Sequence, residues 1–503
     1  MRFHVYLPSI LFSVHAAYGE VSALTQSASK RASRRSVTLP YNCPEGQKFL
    51  HQLVDHSTID HSQPNATGAD IWKQKYSGSN ATFLQQYVLN DTFYRPGGPI
   101  LFFQGNEEPL PCLADTAIPE HAKQLGAMMV SLEHRYWGSS CPFGLNCSDF
   151  PSRTTHDLRA LTLDNVLHDT VKFLKWLKQS DDRIENAPII AFGGSYGGFL
   201  SALLRIHFPG EIFGSLATSL PQRGFQTDPL NEYVFGFMEW NDMVYYDVSV
   251  EATAKIKSAM NDLRACLAAG KFQGMKEQLN LCYGPNSTEQ NYDLLNWIAG
   301  AYLQNLQYNL GIYDYPFYKT INATLETDNP MVMHGAAVKY FNEWNGVNCS
   351  DWLPNNTAVD PYGYMRCTYL PHFDQYAAPS SIWGPLLPDY TQKHLLDPMC
   401  TAAYGFQCVD GGEQFIRRIG LDTETVQSTD RLLLVENLMD PTTYIGMEFF
   451  YPGNQRNNSR VMLVDGSSHG ADLLVSMESD SEGLKRARSA QLNTFKEWLG
   501  MGA

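Results

Sequence analysis

The chain has little positive charge for its size. Its 503 residues include 37 Lys and Arg against 52 Asp and Glu, which gives a formal net charge of −15 at pH 7. A nucleic-acid-binding protein needs a concentrated basic surface, so this balance argues against DNA or RNA as a partner. An acidic surface is common among soluble proteins and narrows the function no further.

Long apolar runs are also missing. Beyond the N-terminus, no stretch is apolar for the roughly 18 residues that a membrane-spanning helix needs, so we expect no membrane anchor. The start of the chain combines Arg2, a short apolar stretch over 5–14 and small residues up to Ala23, which is typical of an export signal. We therefore expect a signal peptide over 1–23. The basic segment over 24–44 is either a cleaved pro-segment or a flexible tail.

Motifs that hold metals or cofactors are absent. The sequence has no repeated CxxC spacing, no H-E-x-x-H, no glycine-rich lysine loop for phosphate and no dinucleotide fingerprint. We therefore expect neither a metal nor a cofactor.

Cysteines and glycosylation sequons point to the secretory pathway. The cysteine count of 10 is even, as expected in an oxidising compartment, and pairing cannot be read from the sequence, although Cys141 and Cys147 are plausible local partners. The Asn-x-Ser/Thr sequons are Asn65, Asn80, Asn90, Asn146, Asn286, Asn322, Asn348, Asn355 and Asn457. Together these features predict a secreted or vacuolar/lysosomal glycoprotein.

Short apolar runs alternate with helical patterns in the first half of the chain. The strand candidates there are 99–103, 127–132, 188–192 and 213–218, and the helix candidates include 118–125 and 163–178. Such alternation predicts a mainly parallel sheet with helices on both faces.

The pattern changes near residue 221. Helical runs then dominate up to about 415, and strands return only at 431–436 and 460–464, before a last helix at 482–499. We therefore predict a core in two parts, 45–220 and 416–503, which is interrupted by a helical cap insertion over 221–415.

The most informative stretch is Gly193-Gly194-Ser195-Tyr196-Gly197-Gly198, which follows an apolar run and precedes an amphipathic pattern. The order strand, sharp turn, helix is typical of the Gly-x-Ser-x-Gly motif, in which small neighbours permit a strained turn that exposes the serine hydroxyl. Ser195 is therefore the candidate nucleophile. The alternative is a glycine-rich turn without chemistry.

A serine nucleophile needs a histidine to take its proton and a carboxylate to orient that histidine. Asp440 and His469 each follow a strand candidate near the C-terminus. The chain order Ser195, Asp440, His469 is that of an α/β-hydrolase triad. Glu436 and Asp430 are weaker rivals of Asp440 because they flank the strand itself.

The oxyanion of the tetrahedral intermediate needs two backbone N–H donors. One expected donor is Tyr196, directly after the nucleophile, and the other comes from the backbone around Asn106 and Glu107, after the strand candidate at 99–103. The neighbouring carboxylates of Glu107 and Glu108 either bind a substrate amine, raise each other's pKa, or form a solvated pair on the loop.

These motifs together resemble a serine peptidase family that includes lysosomal Pro-Xaa carboxypeptidase, dipeptidyl peptidase II, thymus-specific serine protease and fungal acid prolyl endopeptidase. The resemblance spans roughly 45–499. The matching stretches are 105–107, 133–138, 193–198, 336–342 with the following Cys349, Asp440-Pro441 and 466–469.

The resemblance implies an α/β-hydrolase core with an inserted helical cap. It also implies cleavage of peptide bonds after proline, usually at acid pH, through an acyl-enzyme. By this resemblance, Ser195, Asp440 and His469 would form the catalytic triad. Tyr196 would contribute to the oxyanion hole, and Phe199 would line the proline pocket.

One departure concerns the proline pocket. Thr442 stands where the family often has a tryptophan. A second departure lies at the catalytic histidine, where Ser468 precedes His469 in place of the histidine that the family often has there. One missing apolar contact is worth about 1–3 kcal/mol of discrimination, so the preference for proline is expected to be broadened. Thr442 is nevertheless a candidate for contact with the substrate.

The sequence therefore predicts a serine peptidase that acts on peptide or protein substrates, as a monomer or homodimer. The alternatives are an esterase or lipase on the same fold and a non-catalytic α/β-hydrolase relative used for binding. The complete set of Ser195, Asp440 and His469 argues against the binding role. Removal of C-terminal residues, removal of N-terminal peptides and internal cleavage all stay open.

Overall fold

The computed structural model describes residues 46–56, 81–147, 154–221, 236–311, 314–353, 359–371, 377–378, 380–384, 397–446 and 459–502. The predicted signal peptide and the segment over 24–44 lie outside these residues. So do the sequons at Asn65, Asn80, Asn355 and Asn457. Within the described ranges, none of the helices combines the length and apolar character needed to span a membrane.

An eight-stranded sheet lies at the centre of the described part of the chain, in the order β1-β2-β4-β3-β5-β6-β7-β8. The strands are β1 (Lys48–Leu53), β2 (Thr82–Asn90), β3 (Ile100–Gln104), β4 (Met128–Leu132), β5 (Ile189–Gly194), β6 (Gly214–Thr218), β7 (Leu432–Asn437) and β8 (Arg460–Val464). β2 pairs antiparallel with both β1 and β4, and every other pair is parallel. The parallel strands therefore end at one shared edge, where ligand sites gather in such sheets.

Helices cover both faces of the sheet. They are α1 (Ile118–Leu125), α2 (Leu163–Ser180), α3 (Tyr196–His207) and α15 (Glu482–Trp498). Phe102 of β3 packs in the hydrophobic cluster of α2 and α3, whereas its neighbours Leu101 and Phe103 pack in the cluster of α1 and α15. Both faces are thus buried, which explains why these strands are nearly continuous apolar runs.

The insertion has a hydrophobic core of its own. Its helices are α4 (Gly236–Val248), α5 (Val250–Ala268), α6 (Met275–Gln278), α7 (Asn291–Gln307), α8 (Pro316–Leu325) and α9 (Pro330–Asn345). Tyr245, Tyr302 and Trp383 pack together at its centre. A disulfide between Cys282 and Cys349 links the segment after α6 to the segment after α9 within the insertion.

The remaining helices are α10 (Pro361–Thr368), α11 (Asp397–Tyr404), α12 (Glu413–Ile419), α13 (Thr423–Ser428) and α14 (Thr442–Gly446). Tyr364 of α10, Cys400 of α11 and Phe415 of α12 pack in the cluster of α2 and α3, and not in that of the insertion. These three helices thus pack on the sheet side, whereas Trp383, between α10 and α11, packs in the core of the insertion. The predicted boundary at 415 stays a prediction.

The predicted fold class, an α/β-hydrolase core with a mainly parallel sheet and an inserted helical cap, is confirmed. The local disulfide between Cys141 and Cys147 is present as well. Among the described sequons, Asn146, Asn286, Asn322 and Asn348 are exposed and Asn90 is half-buried. Glycosylation itself stays a prediction.

Candidate active site

Ser195 lies in a sharp turn between β5 and α3. Its backbone has φ 55° and ψ −123°, a conformation that non-glycine residues rarely adopt. A side chain on Gly193 would meet the Gly197 carbonyl at 2.0 Å, and one on Gly198 would meet the Thr218 carbonyl at 2.7 Å. Ser195 is partly exposed within an otherwise buried run, so the turn presents its hydroxyl at the carboxyl edge of the sheet.

Asp440 and His469 contact each other directly. His469 Nδ1 lies 2.6 Å from Asp440 Oδ2, and both side chains are buried. Thr442 donates from its backbone N–H to Asp440 Oδ1 at 3.0 Å and from its hydroxyl to Oδ2. The Asp440 carboxylate is therefore held from two sides. When His469 donates from Nδ1–H to Asp440, its Nε2 is free to accept a proton.

The rival carboxylates are placed differently. Asp430 pairs with Arg431 at the start of β7. Both carboxyl oxygens of Glu436 are buried and have no hydrogen-bond partner within the described residues. Burial and the nearby charges of Asp440 and Asp472 raise the pKa of Glu436 well above its usual range. Asp440 is thus the carboxylate that accepts from His469.

His469 sits in acidic surroundings. Burial lowers its pKa, but the charge and hydrogen bond of Asp440, with the charges of Glu107 and Asp472, outweigh burial, and the net pKa lies above 6.5. The imidazolium that forms during proton transfer is therefore stabilised by its neighbours.

A buried hydrogen-bond network joins the ends of β6 and β7 to the loop that carries His469. We call it the Asn437 network; its members are Thr218, Ser219, Asn437, Ser467 and Asp472. Asn437 Nδ2 donates to Thr218 Oγ1 and Ser219 Oγ at 3.2 Å each and to Asp472 Oδ1 at 3.0 Å. Ser467 Oγ donates to Asn437 Oδ1 at 2.6 Å, and Thr218 Oγ1 donates to Asp472 Oδ1 at 2.6 Å.

This network reaches the backbone at all three candidate catalytic positions. Ser195 N–H donates to the Thr218 carbonyl at 3.0 Å, and Asp440 N–H donates to the Asn437 carbonyl at 2.7 Å. Gly470 N–H, next to His469, donates to Ser219 Oγ at 3.1 Å. One set of buried contacts therefore sets the relative positions of the three loops.

The Ser195 hydroxyl itself makes no hydrogen bond to the described residues, so its contact with His469 stays a prediction. Such contacts are often long in unliganded enzymes and shorten when substrate binds.

The loop after β3 lies beside the turn at Ser195. β3 pairs directly with β5, with Phe103 opposite Phe192. A side chain on Gly197 would meet Asn106 Oδ1 at 2.0 Å, so the Asn106 side chain rests on the first turn of α3. Tyr196 opens that helix, and its N–H has no acceptor within the helix. The predicted oxyanion donors therefore come from neighbouring segments, and their role stays a prediction.

Glu107 is half-buried on the same loop. Burial, followed by the charge of Glu108, raises the pKa of the Glu107 carboxyl group to about 7. A hydrogen bond from its own backbone N–H and the charge of His469 oppose this shift. This carboxyl group therefore changes charge near neutral pH.

The Tyr196 side chain points into the core. Its hydroxyl lies 2.9 Å from His134 Nε2 and 3.0 Å from the hydroxyl of Tyr369, and its ring stacks on Phe199 at 6.0 Å. Phe199 is 0% exposed and Thr442 is 5% exposed. The predicted contacts of Phe199 and Thr442 with substrate stay predictions, and the visible role of Thr442 is to hold Asp440.

Arg135 has a structural role. Its guanidinium binds both Asp169 carboxylate oxygens at 2.6 Å and donates to the backbone carbonyls of Leu53, Val54 and Ala160. This buried fork fixes the end of β4 next to His134.

Sequence reasoning missed the contribution of the insertion. The carbonyl of Gln307, at the end of α7, accepts from His469 N–H at 2.9 Å. The Tyr308 ring meets the His469 ring edge-on at 5.6 Å and stacks on Trp344 at 4.5 Å. No local motif marks these residues, because they reach the site only through the packing of α7 and α9.

Comparisons with known proteins identify the family of the chain. The family described as serine carboxypeptidase S28 matches residues 75–345. Lysosomal Pro-X carboxypeptidase of Bos taurus is 26% identical over 95% of this chain and 92% of its own length. A serine protease of Caenorhabditis elegans is 34% identical over 84% of this chain and 80% of its own length. Prolyl carboxy peptidase like protein 5 of the same organism is 29% identical over 82% of this chain and 85% of its own length. The chain therefore belongs to the serine carboxypeptidase S28 family and is a serine-type peptidase.

Proposed function

We propose that this chain is a peptidase of the secretory pathway that hydrolyses peptide bonds after proline through Ser195, His469 and Asp440. The observation that carries the proposal is the buried Asp440–His469 pair, which shares the Asn437 network with the backbone of Ser195. The relatives named lysosomal support a lysosomal or vacuolar destination.

In the proposed first step, His469 Nε2 takes the proton of the Ser195 hydroxyl while Oγ attacks the scissile carbonyl carbon. The carbonyl oxygen becomes an oxyanion, which accepts from the N–H of Tyr196 and from the backbone around 106–107. The positive end of the α3 dipole favours the same charge. Asp440 stays ionised and stabilises the imidazolium.

Collapse of this intermediate breaks the C–N bond, and His469 donates its proton to the leaving amine. The acyl group is left on Ser195 as an ester. His469 then takes a proton from water, the resulting hydroxide attacks the ester carbonyl, and Ser195 Oγ leaves with the proton that His469 returns.

Two observations support a preference for proline. Relatives that cover most of the chain carry Pro-X or prolyl carboxypeptidase in their names. An aromatic surface of Tyr308 and Trp344 lies beside His469 and suits the apolar ring of a proline residue. This surface would supply some of the apolar area that Thr442, unlike a tryptophan, does not offer to a proline ring.

The pH dependence is a separate part of the proposal. The resemblance implies activity at acid pH, but a general base must be neutral, and Asp440, Glu107 and Asp472 together hold the pKa of His469 above 6.5. These charges predict that the rate declines at low pH as His469 becomes protonated.

The test is the turnover of purified Ser195→Ala on proline-containing peptides and on short acyl esters. We expect the mutant to lose peptide hydrolysis by about four to six orders of magnitude, with an unchanged melting temperature. Ser180→Ala, at an exposed helix position, is the control and should match the wild type. A wild-type enzyme that turns over esters far better than any peptide would support the esterase alternative instead.

A further inference from the structure

Three buried side chains form a line of hydrogen bonds behind the turn at Ser195. Tyr196 Oη lies 2.9 Å from His134 Nε2 and 3.0 Å from Tyr369 Oη, and all three residues are buried. They come from elements that lie far apart along the chain, because His134 follows β4, Tyr196 opens α3 and Tyr369 directly follows α10. We call these three residues the Tyr196 cluster.

The direction of each hydrogen bond in the Tyr196 cluster follows from His134. Burial lowers the pKa of His134 to about 4, so at neutral pH its ring carries a single N–H. His134 Nδ1 lies 2.6 Å from the Arg135 carbonyl, which can only accept, so Nδ1 holds that hydrogen. Nε2 must then accept from the Tyr196 hydroxyl. Tyr196 has no second hydrogen to give, so it accepts from the hydroxyl of Tyr369.

Packing holds each member of the Tyr196 cluster in place. The His134 ring meets Trp137 edge-on at 4.7 Å, and the Tyr196 ring stacks on Phe199 at 6.0 Å. Tyr369 N–H donates to the Met365 carbonyl at 2.8 Å, which fixes Tyr369 at the end of α10. Rotation of the Tyr196 side chain would leave buried polar atoms without partners, so the ring has one favoured orientation.

The backbone on either side of this anchor is where geometry matters most for the proposed chemistry. Ser195 has φ 55° and ψ −123°, and a non-glycine residue keeps such a strained conformation only where its surroundings hold it. The N–H of Tyr196 is a proposed oxyanion donor, and a donor is most effective when it is aimed before the reaction begins. An anchored Tyr196 side chain fixes its own Cα, and with it the direction of that N–H.

Resting on the proposed peptidase function, we propose that Tyr369 is a positioning residue for the oxyanion hole and acts through the Tyr196 hydroxyl. Tyr369 lies in the chain after α9 of the insertion, and α10 before it packs on the sheet side. The nucleophile turn would therefore reach its final geometry only when α10 has packed against the sheet.

The experiment compares Tyr369→Phe with Tyr404→Phe. Tyr404 is the matched control, because its buried hydroxyl donates at 2.9 Å to the carbonyl of Asp360, at the other end of α10. Each variant loses one buried hydroxyl that contacts an end of this helix, so similar losses of melting temperature are expected. Tyr369→Phe should lower kcat about threefold to tenfold with little change in KM, whereas Tyr404→Phe should keep the wild-type kcat.

A peptidyl-proline boronic acid supplies a readout that a general loss of stability does not move. Its boron accepts an electron pair from Ser195 Oγ and becomes tetrahedral, with one oxygen in the oxyanion hole. The inhibition constant should therefore rise in Tyr369→Phe by the factor by which kcat falls. Tyr196→Phe, which keeps the ring but removes both hydrogen bonds, should show a larger change in both quantities, about tenfold to a hundredfold.

The pH profile provides a further check. Burial raises the pKa of both Tyr196 and Tyr369 well above its usual range, so neither hydroxyl loses its proton between pH 5 and 8. Tyr369→Phe should therefore lower kcat by the same factor across this range, without a shift along the pH axis. A shifted profile would mean that Tyr369 acts on the charge of His469 and would overturn the proposal.

Three other results would overturn the positioning role. These are a wild-type kcat in Tyr369→Phe, equal kcat losses in Tyr369→Phe and Tyr404→Phe, and a lower kcat with an unchanged inhibition constant for the boronic acid. If Tyr369→Phe does not fold, Tyr196→Phe decides by the same two measurements. The peptidase function survives each of these results, whereas it fails if the wild type cleaves no proline-containing substrate.

Discussion

Thr442 shows how much the chemistry depends on single side chains. Its hydroxyl and N–H both donate to Asp440, so it fixes the carboxylate that orients His469. We expect Thr442→Val to lower kcat by about tenfold with little change in KM, because one hydrogen bond to a charged group is lost. Thr442→Ser keeps the hydroxyl and should stay near the wild type. Equal rates in Val and Ser variants, measured by steady-state kinetics, would remove this role.

Protonation of His469 should produce the acid limb of the pH profile, which is the decline of kcat/KM on the acid side. Its pKa is raised above the usual value of a histidine, so kcat/KM should rise with pH as His469 loses its proton. Glu107→Gln removes a negative charge that raises this pKa, so the limb should move to lower pH. The measurement uses an N-blocked proline-containing substrate, which carries no amine that titrates in this range. An unmoved limb would mean that Glu107 does not act on His469.

Three single residues could be predicted from the sequence because their local setting is informative. Ser195 lies in a glycine motif that only a tight turn explains, and Asp440 and His469 follow apolar strands in the expected order. The roles of Thr442 and Tyr308 could not be predicted, since each depends on a contact that no spacing in the sequence reveals.

The ends of β6, β7 and β8 act together through the Asn437 network. We expect Asn437→Ala to remove one donor from Asp472 and the acceptor of the Ser467 hydroxyl, and to cost about 1–3 kcal/mol of folding free energy. It should also lower kcat at temperatures where the variant is still fully folded. The matched control is Asn305→Ala, which removes a buried asparagine that donates to Thr320 and Ala337 inside the insertion. Calorimetry and kinetics on both variants separate positioning from stability. Equal kcat losses at equal destabilisation would contradict the positioning role.

The parallel strands were predictable, and the two antiparallel ones were not. β3 to β7 are buried throughout because both faces of the sheet are covered there, and β8 is a short apolar run at the edge of the sheet. β1 and β2 instead place buried glutamines in the strand: Gln52 is 0% exposed and Gln85 is 1% exposed. These side chains pair with each other and with the carbonyls of Asp169 and Glu133. Polar residues at core positions remove the apolar alternation on which strand prediction relies.

The described part of the chain combines a sheet core and a helical insertion that meet at the candidate active site. The insertion packs around its own aromatic cluster, yet Gln307 and Tyr308 at the end of α7 contact His469. The sequence indicated a helical insertion but not this contact, nor that α10 to α12 pack on the sheet side. Contacts between segments that are far apart along the chain depend on tertiary packing, and such packing produces no local sequence pattern.

Removal of the insertion disulfide tests whether the site depends on both units. Cys282 and Cys349 are separated by 67 residues, and the chain-entropy model gives roughly 4 kcal/mol for closing such a loop. We expect the double Cys→Ser variant to lose activity on heating before the sheet unfolds, because the insertion separates from His469 first. Circular dichroism and activity would be recorded along the same temperature ramp.

The control is the double Cys→Ser variant at Cys141 and Cys147, which lie 6 residues apart and close a loop worth roughly 2 kcal/mol. It should lose activity and structure together. Coincident transitions in both variants would argue that the insertion does not support the site.

The assignment of Ser195 as the nucleophile underlies every step of the proposed chemistry. The direct measurement is labelling of the folded enzyme with a prolyl diphenyl phosphonate, followed by mass spectrometry of the peptides. We predict one covalent adduct, on Ser195, at a rate that falls sharply in His469→Ala, and no adduct in Ser195→Ala. An adduct on another residue, or unchanged labelling of Ser195→Ala, would contradict this assignment.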